Sequence, residues 1–258
     1  MSTIIIGLLV PILGIVVGSA VVFLTQREMS PLLQKSLLGF AAGVMVSASF
    51  WSLLLPALEM NEPSGKWAVM PVIVGFLLGM GFLLLIDMLT PHLHLGTSQP
   101  EGPHAHLSRT TMLMLAITIH HLPEGMAIGV VLAGADQGGI GISAASALVV
   151  SLGIAIQNIP EGAVVSIPMR ASGKSRMKSF LLGCLSGVAQ PLGAILVLLL
   201  AALFVPMLPY LLAFAAGAML YVVVEELIPE ASNGQHTNLS TIFFAVGFAL
   251  MMLLDVVI

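Results

Sequence analysis

Charge is what this sequence lacks most. Of its 258 residues only 8% are Asp, Glu, Lys or Arg, against about a quarter in a typical soluble domain. Hydrophobic residues make up 58%, and the mean hydropathy is +1.09. That leaves too little polar surface to cover a water-soluble globule, so lipid must be the solvent for much of the chain. Eight Lys and Arg stand against twelve Asp and Glu, so the basic surplus of a nucleic-acid-binding domain is missing and no nucleic-acid partner is expected. Cysteine is nearly absent as well. Cys184 alone excludes an internal disulfide and a thiolate metal cluster. Its neighbours Gly183, Leu185 and Ser186 make it a small packing residue inside a helix. No basic residue precedes the first apolar run, Ile4 to Leu24. That run therefore reads as a first membrane helix rather than a cleavable leader, despite Gly18-Ser19-Ala20.

What is present is a series of long apolar runs. A membrane span needs about 20 mostly apolar residues, and the runs predict helices over 4–24, 37–58, 69–89, 111–133, 142–168, 179–204, 209–229 and 240–258. Polar or Pro/Gly-rich stretches separate them. The expected fold is all-α and integral to the membrane, one domain over 1–258, with a His-containing loop at 90–110. The basic residues give the orientation. With the N-terminus outside, inner loops hold Arg27, Lys35, Arg109, Arg170, Lys174, Arg176 and Lys178, and outer loops hold only Lys66. That asymmetry follows the positive-inside rule, and an even number of spans then puts both termini outside.

Two similarities recur within the chain. Phe40-Ala41-Ala42-Gly43-Val44-Met45 in the second span resembles Phe214-Ala215-Ala216-Gly217-Ala218-Met219 in the seventh, and each is followed by a proline, Pro56 or Pro229. His120-His121-Leu122-Pro123-Glu124-Gly125 in the fourth span resembles Gln157-Asn158-Ile159-Pro160-Glu161-Gly162 in the fifth. The members of each pair run in opposite directions, which points to an inverted repeat about an axis in the membrane plane.

The second pair also carries chemistry. An ionisable group at mid-membrane costs about 2.5–3.5 kcal/mol or more, so its presence asks for a reason. His120 and Glu124 are spaced i,i+4 and His121 and Glu124 i,i+3, so all three can line one helix face. Gln157, Asn158 and Glu161 repeat that face on the next span. Pro123 and Pro160 each remove a backbone hydrogen bond and crowd the carbonyl four residues earlier, and freed carbonyls at that depth belong against protein or a wet cavity. Imidazole, carboxylate and amide oxygen together suit a borderline divalent ion. Zinc fits best, with Fe2+, Mn2+ and Cd2+ as competitors. The weak amide donors point to an exchangeable ion rather than a closed structural site.

On these motifs the sequence resembles the ZIP family of zinc/iron-regulated transporters, particularly its prokaryotic branch. The resemblance covers the whole chain. It implies a 3+2+3 inverted-repeat arrangement, both termini extracytoplasmic, a place in the cell inner membrane, and movement of divalent metal into the cytosol as a transported substrate rather than a cofactor. Matched by motif position, His120, Glu124, Gln157 and Glu161 would hold the metal, with Met45 as a thioether ligand. A second, adjoining metal position in many relatives corresponds here to His121, Asn158 and Gln190. Where those relatives have two carboxylates this chain has neutral amides, so one strongly held metal is expected rather than two. Glu226 resembles an acid near the inner exit, with Glu230 one turn on and His236 in the following loop. Asp87, His92 and His94 look like further exit stations, and Asp255 like an entrance station. His92, His94, His104 and His106 of the inner loop form the kind of short His-rich tract that binds metal.

The resulting expectation is a secondary transporter working by alternating access, and not an enzyme. A metal-selective channel would use similar residues. An intramembrane metalloenzyme is the weaker alternative, since no H-E-x-x-H occurs. Gly75, Gly79 and Gly81 offer a small-residue face for packing within the chain or in a homodimer.

Overall fold

The computed structural model describes residues 2–25, 29–93, 102–104, 107, 109–136, 142–203 and 207–257. These residues form helices and connecting loops, with eight helices long and apolar enough to cross a membrane: α1 (Ser2–Phe23), α2 (Pro31–Met60), α3 (Gly65–Leu89), α4 (Arg109–Asp136), α5 (Ala144–Ala171), α6 (Arg176–Ala201), α7 (Leu208–Ser232) and α8 (Leu239–Val257). The largest departure from the expected boundaries is at α2, which starts at Pro31 rather than at 37. Ser30 caps it, its Oγ accepting from the Leu33 amide at 3.2 Å, and Pro31 takes a first-turn position where a missing N–H costs nothing. Lys35 therefore lies inside the helix, where its ammonium donates to the Gln235 carbonyl at 2.5 Å. Ser143 and Ser175 cap α5 and α6 in the same way, accepting from the Ser146 and Lys178 amides.

Three of the helices are interrupted in mid-span, and each interruption lies close to a proline. In α2 a π-helical stretch spans Ser49–Leu54, just before Pro56. In α7 the matching stretch is Val223–Leu227, just before Pro229. A proline cannot donate to the carbonyl four residues back, and a widened turn accommodates the ring. α6 is interrupted at Gly187-Val188 and resumes at Ala189, with the Gln190 amide donating to the Gly187 carbonyl at 3.2 Å. By contrast α4 and α5 run through Pro123 and Pro160 without a break.

Glycines set which helices pack together. A Cβ at Gly43 would collide with the Phe244 carbonyl of α8, and one at Gly247 with the Phe40 carbonyl of α2. Likewise Gly217 abuts the Phe76 carbonyl, and Gly79 the Phe214 carbonyl, joining α7 to α3. Gly18 abuts the Ile159 carbonyl between α1 and α5, as Gly193 abuts Leu122 between α6 and α4. Backbones in such contact gain dispersion energy that bulkier side chains would forfeit, which matters where lipid removes the hydrophobic drive between helices. Of the expected α3 glycine face, Gly75 and Gly79 meet α7, whereas a Cβ on Gly81 would meet nothing within 4 Å.

The outer faces are apolar and exposed, for example Leu77, Leu78 and Leu85 on α3 and Val246, Leu253 and Val256 on α8. α4 and α5 are the interior pair: 72% and 78% of an 18-residue apolar stretch in each is buried, against 11% for α8. The polar motifs thus sit on the two helices furthest from lipid.

A candidate metal site in the helix bundle

Seven of the residues singled out by the motifs converge at the centre. His120, His121, Glu124, Gln157, Asn158, Glu161 and Gln190 are all buried, four of them completely. The Pro-Glu-Gly segments of α4 and α5 face one another, so carboxylates and imidazoles from opposite directions share one small volume. Ligand atoms of His121, Glu124 and Glu161 lie within 4.8 Å of one another. Nε2 of His121 is 3.5 Å from Oε2 of Glu161.

Amides surround Glu124. Gln157 Nε2 donates to its Oε1 at 2.9 Å, and Gln190 Nε2 donates to its Oε2 at 2.7 Å. Asn158 Nδ2 donates both to Gln190 Oε1 at 3.0 Å and to the Pro11 carbonyl of α1 at 2.9 Å. Three acceptors are left over: His121 Nε2, Gln157 Oε1 and Asn158 Oδ1 are buried with no hydrogen-bond partner among the described residues. A buried polar atom without a partner costs about 1–3 kcal/mol. Imidazole nitrogen, carboxylate oxygen and amide oxygen are together the donor set of a borderline dication, which would satisfy them at once.

The two adjacent histidines part company. His120 Nε2 contacts Oε1 of Glu226 on α7 rather than joining the cluster of His121, Glu124 and Glu161. A pocket lined by His120, Glu161, Glu226 and Glu230, together with apolar residues including Leu38 and Leu93, leads from there. Of its lining residues, Leu38, Leu93 and Glu230 lie toward the end of the bundle where α3, α5 and α7 finish, the end that carries the Arg170–Lys178 segment. Met45 is fully buried in the apolar core, as is Met219, its counterpart in the repeated motif.

The flanking residues fall at the two ends. At the pocket end, Asp87 lies 3.0 Å from Nε2 of His92 and accepts from the Tyr221 hydroxyl at 3.2 Å. His92 is almost wholly buried, and its Nδ1 is 2.8 Å from the Thr90 carbonyl. His236 and His104 are exposed, and His94 and His106 lie outside the described residues. At the opposite end Asp255 accepts from Ser52 Oγ at 2.9 Å. The sequence carries no signal for Pro11, Ser52 or Tyr221: a backbone carbonyl, a span serine and a span tyrosine look like packing until the fold brings partners to them.

Sequence similarity to known proteins is extensive. Residues 97–255 match the family model described as ZIP Zinc transporter. The chain is similar to zinc transporter ZIP11 of Homo sapiens, at 37% identity over 317 aligned positions covering 93% of this chain and 92% of that one. It is 38% identical to zinc transporter ZIPB of Bordetella bronchiseptica, covering 92% of this chain and 75% of that one. With zinc transporter GufA of Myxococcus xanthus the identity is 36%, covering 90% of each.

Proposed function

As the chain belongs to the ZIP family of zinc transporters, and is a multi-pass membrane protein, we propose that it is a secondary carrier that moves zinc into the cytosol by alternating access. The observation that carries this reading is the buried cluster of His121, Glu124 and Glu161, with unpartnered acceptor atoms beside it, at the centre of the bundle. Zinc is the substrate; Fe2+, Mn2+ and Cd2+ share its ligand preferences closely enough to compete.

On this reading metal enters past Asp255 and is held by His120, Glu124, Gln157 and Glu161, with His121 and Met45 completing the ligand pool. It leaves toward Glu226, Glu230, Asp87, His92 and His94, with His236 beyond. A side chain that can face either the cluster or Glu226 is suited to a hand-over, and His120 stands between them. The driving force needs no nucleotide. At 100 mV, inside negative, a dication gains about 4.6 kcal/mol moving inward, at about 2.3 per charge, enough for roughly thousandfold accumulation.

Both termini lie outside and the protein sits in the cell inner membrane, one transporter domain over 1–258, with a homodimer as its candidate assembly. The helices form a 3+2+3 inverted repeat, and the glycine contacts support this. Pairing α1 with α6, α2 with α7, α3 with α8 and α4 with α5 turns the Gly18–Ile159 contact into Gly193–Leu122, and Gly43–Phe244 into Gly217–Phe76. The mobile unit is then α1, α4, α5 and α6 against α2, α3, α7 and α8.

The test is uptake of radioactive zinc into liposomes containing the purified protein. Saturable uptake that His120→Ala and Glu161→Ala abolish is the expected result. Uptake that never saturates would make the protein a channel, and absence of flux for every divalent ion would sink transport altogether.

A further inference from the structure

We infer that Gln190 is a positioning residue rather than a metal ligand: with Asn158 it forms a hydrogen-bonded clasp, anchored on the Pro11 carbonyl, that holds the Glu124 carboxylate ready for the ion. The inference deepens the transport reading above and rests on it.

Donor and acceptor bookkeeping separates a ligand from a support. A primary amide has one oxygen that can bind a cation and one nitrogen that can only donate. Gln190 spends its nitrogen on Glu124 Oε2 and has its oxygen occupied by Asn158. Asn158 commits both of its N–H groups, one to Gln190 and one to Pro11. The chain therefore runs in a single direction, from the α1 backbone through α5 and α6 to the carboxylate on α4, and Asn158, Gln190 and Glu124 are each buried to at least 99%. Gln157 donates to the other carboxylate oxygen. An ionised carboxylate has about four acceptor positions, so two amide bonds fix its plane and leave a lone pair on each oxygen for the metal. Hydrogen-bonded outer partners of this kind orient ligands in metal sites generally.

The same bookkeeping explains why amides stand at these positions. A carboxylate at 190 would put acceptor against acceptor where the amide now donates to Glu124 at 2.7 Å. A carboxylate at 158 could donate neither to Gln190 nor to the Pro11 carbonyl. The clasp also spans α1, α4, α5 and α6, tying together the four helices that the alternating-access reading moves as one.

The experiment compares wild type, Asn158→Asp and Gln190→Met in zinc uptake by proteoliposomes, with bound zinc counted by equilibrium dialysis and folding checked by size-exclusion profile and thermal melting. The clasp predicts that both variants raise the KM for zinc about tenfold, with maximal rate per folded protein changed less than twofold and one zinc bound throughout. A scaffold role with no bearing on the ligand would lower the melting temperature at unchanged KM, and that result overturns the inference. So does tighter binding or a second bound zinc in Asn158→Asp, because an added ligand strengthens a metal site where a broken clasp weakens it. Should either variant fail to fold, the other decides. Wild-type protein that neither binds nor carries zinc overturns the transport reading and this one together, whereas normal wild-type uptake with unchanged variant KM overturns this one alone.

Discussion

His121 and Glu161 approach to 3.5 Å from antiparallel helices, while His120, the very next residue along the chain, turns to Glu226 on a third helix. Adjacent residues on a helix are about 100° apart, so one imidazole stays with the cluster and the other borders the pocket that leads away from it.

This division predicts a split between binding and flux. His121→Ala and Glu161→Ala should weaken equilibrium zinc binding by more than about tenfold, since loss of an outer-shell partner alone costs about 10–100-fold in metal sites. His120→Ala should lose uptake while keeping more of the binding than His121→Ala does. Calorimetric titration beside liposome uptake measures both quantities. Equal losses of binding in the two histidine variants would contradict the division.

One ion, not two, should occupy the centre. Asn158 and Gln190 are neutral, so nothing offsets the repulsion of a second dication beside the first. Anomalous scattering from zinc-soaked crystals is expected to show one fully occupied position. Two fully occupied ions about 4 Å apart, the usual two-metal spacing, would refute this.

Glycine substitutions should separate packing from exposure. Gly43→Ala drives a methyl into the Phe244 carbonyl, while Gly81→Ala meets nothing. The first should destabilise the protein by about 1–3 kcal/mol or more, and the second by about 0.5 kcal/mol or less. Thermal melting in detergent distinguishes them, and a Gly43→Ala protein as stable as wild type would mean the α2–α8 contact is looser than described.

The orientation is testable because Cys184 is the single cysteine. In a Cys184→Ser background, a membrane-impermeant maleimide added to intact cells should label Lys66→Cys at once. It should label Lys174→Cys only after permeabilisation. The reverse pattern would invert the topology derived from the basic loops.

The spans were legible in the sequence because lipid demands about 20 apolar residues in a row, and few other structures leave so plain a trace. Their ends were less so. The Ser30-Pro31 cap was written in the chain, yet the polar Gln34 and Lys35 hid the first turn of α2 until Lys35 was seen bonded to the Gln235 carbonyl. The motifs named the central residues, but not which histidine would join which carboxylate. That depends on side-chain direction and on Glu226, 106 positions away. Nothing in the sequence signalled the Pro11 carbonyl as a hydrogen-bond acceptor for Asn158, since backbone atoms carry no residue-specific mark.

The two π-helical stretches have a consequence for how this molecule can vary. A π turn holds one more residue than the α turn it replaces, so removing a residue between Val223 and Leu227 would close the turn without breaking the helix. A deletion from an ordinary α turn would swing everything past it by about 100°, whereas one taken from the π turn leaves Pro229 and Glu230 facing as before. The same holds for Pro56 beyond Ser49–Leu54. These two turns are therefore places in the spans where the chain can lose one residue and keep the pocket wall pointing the same way, so a shorter helix there need not mean a different pathway.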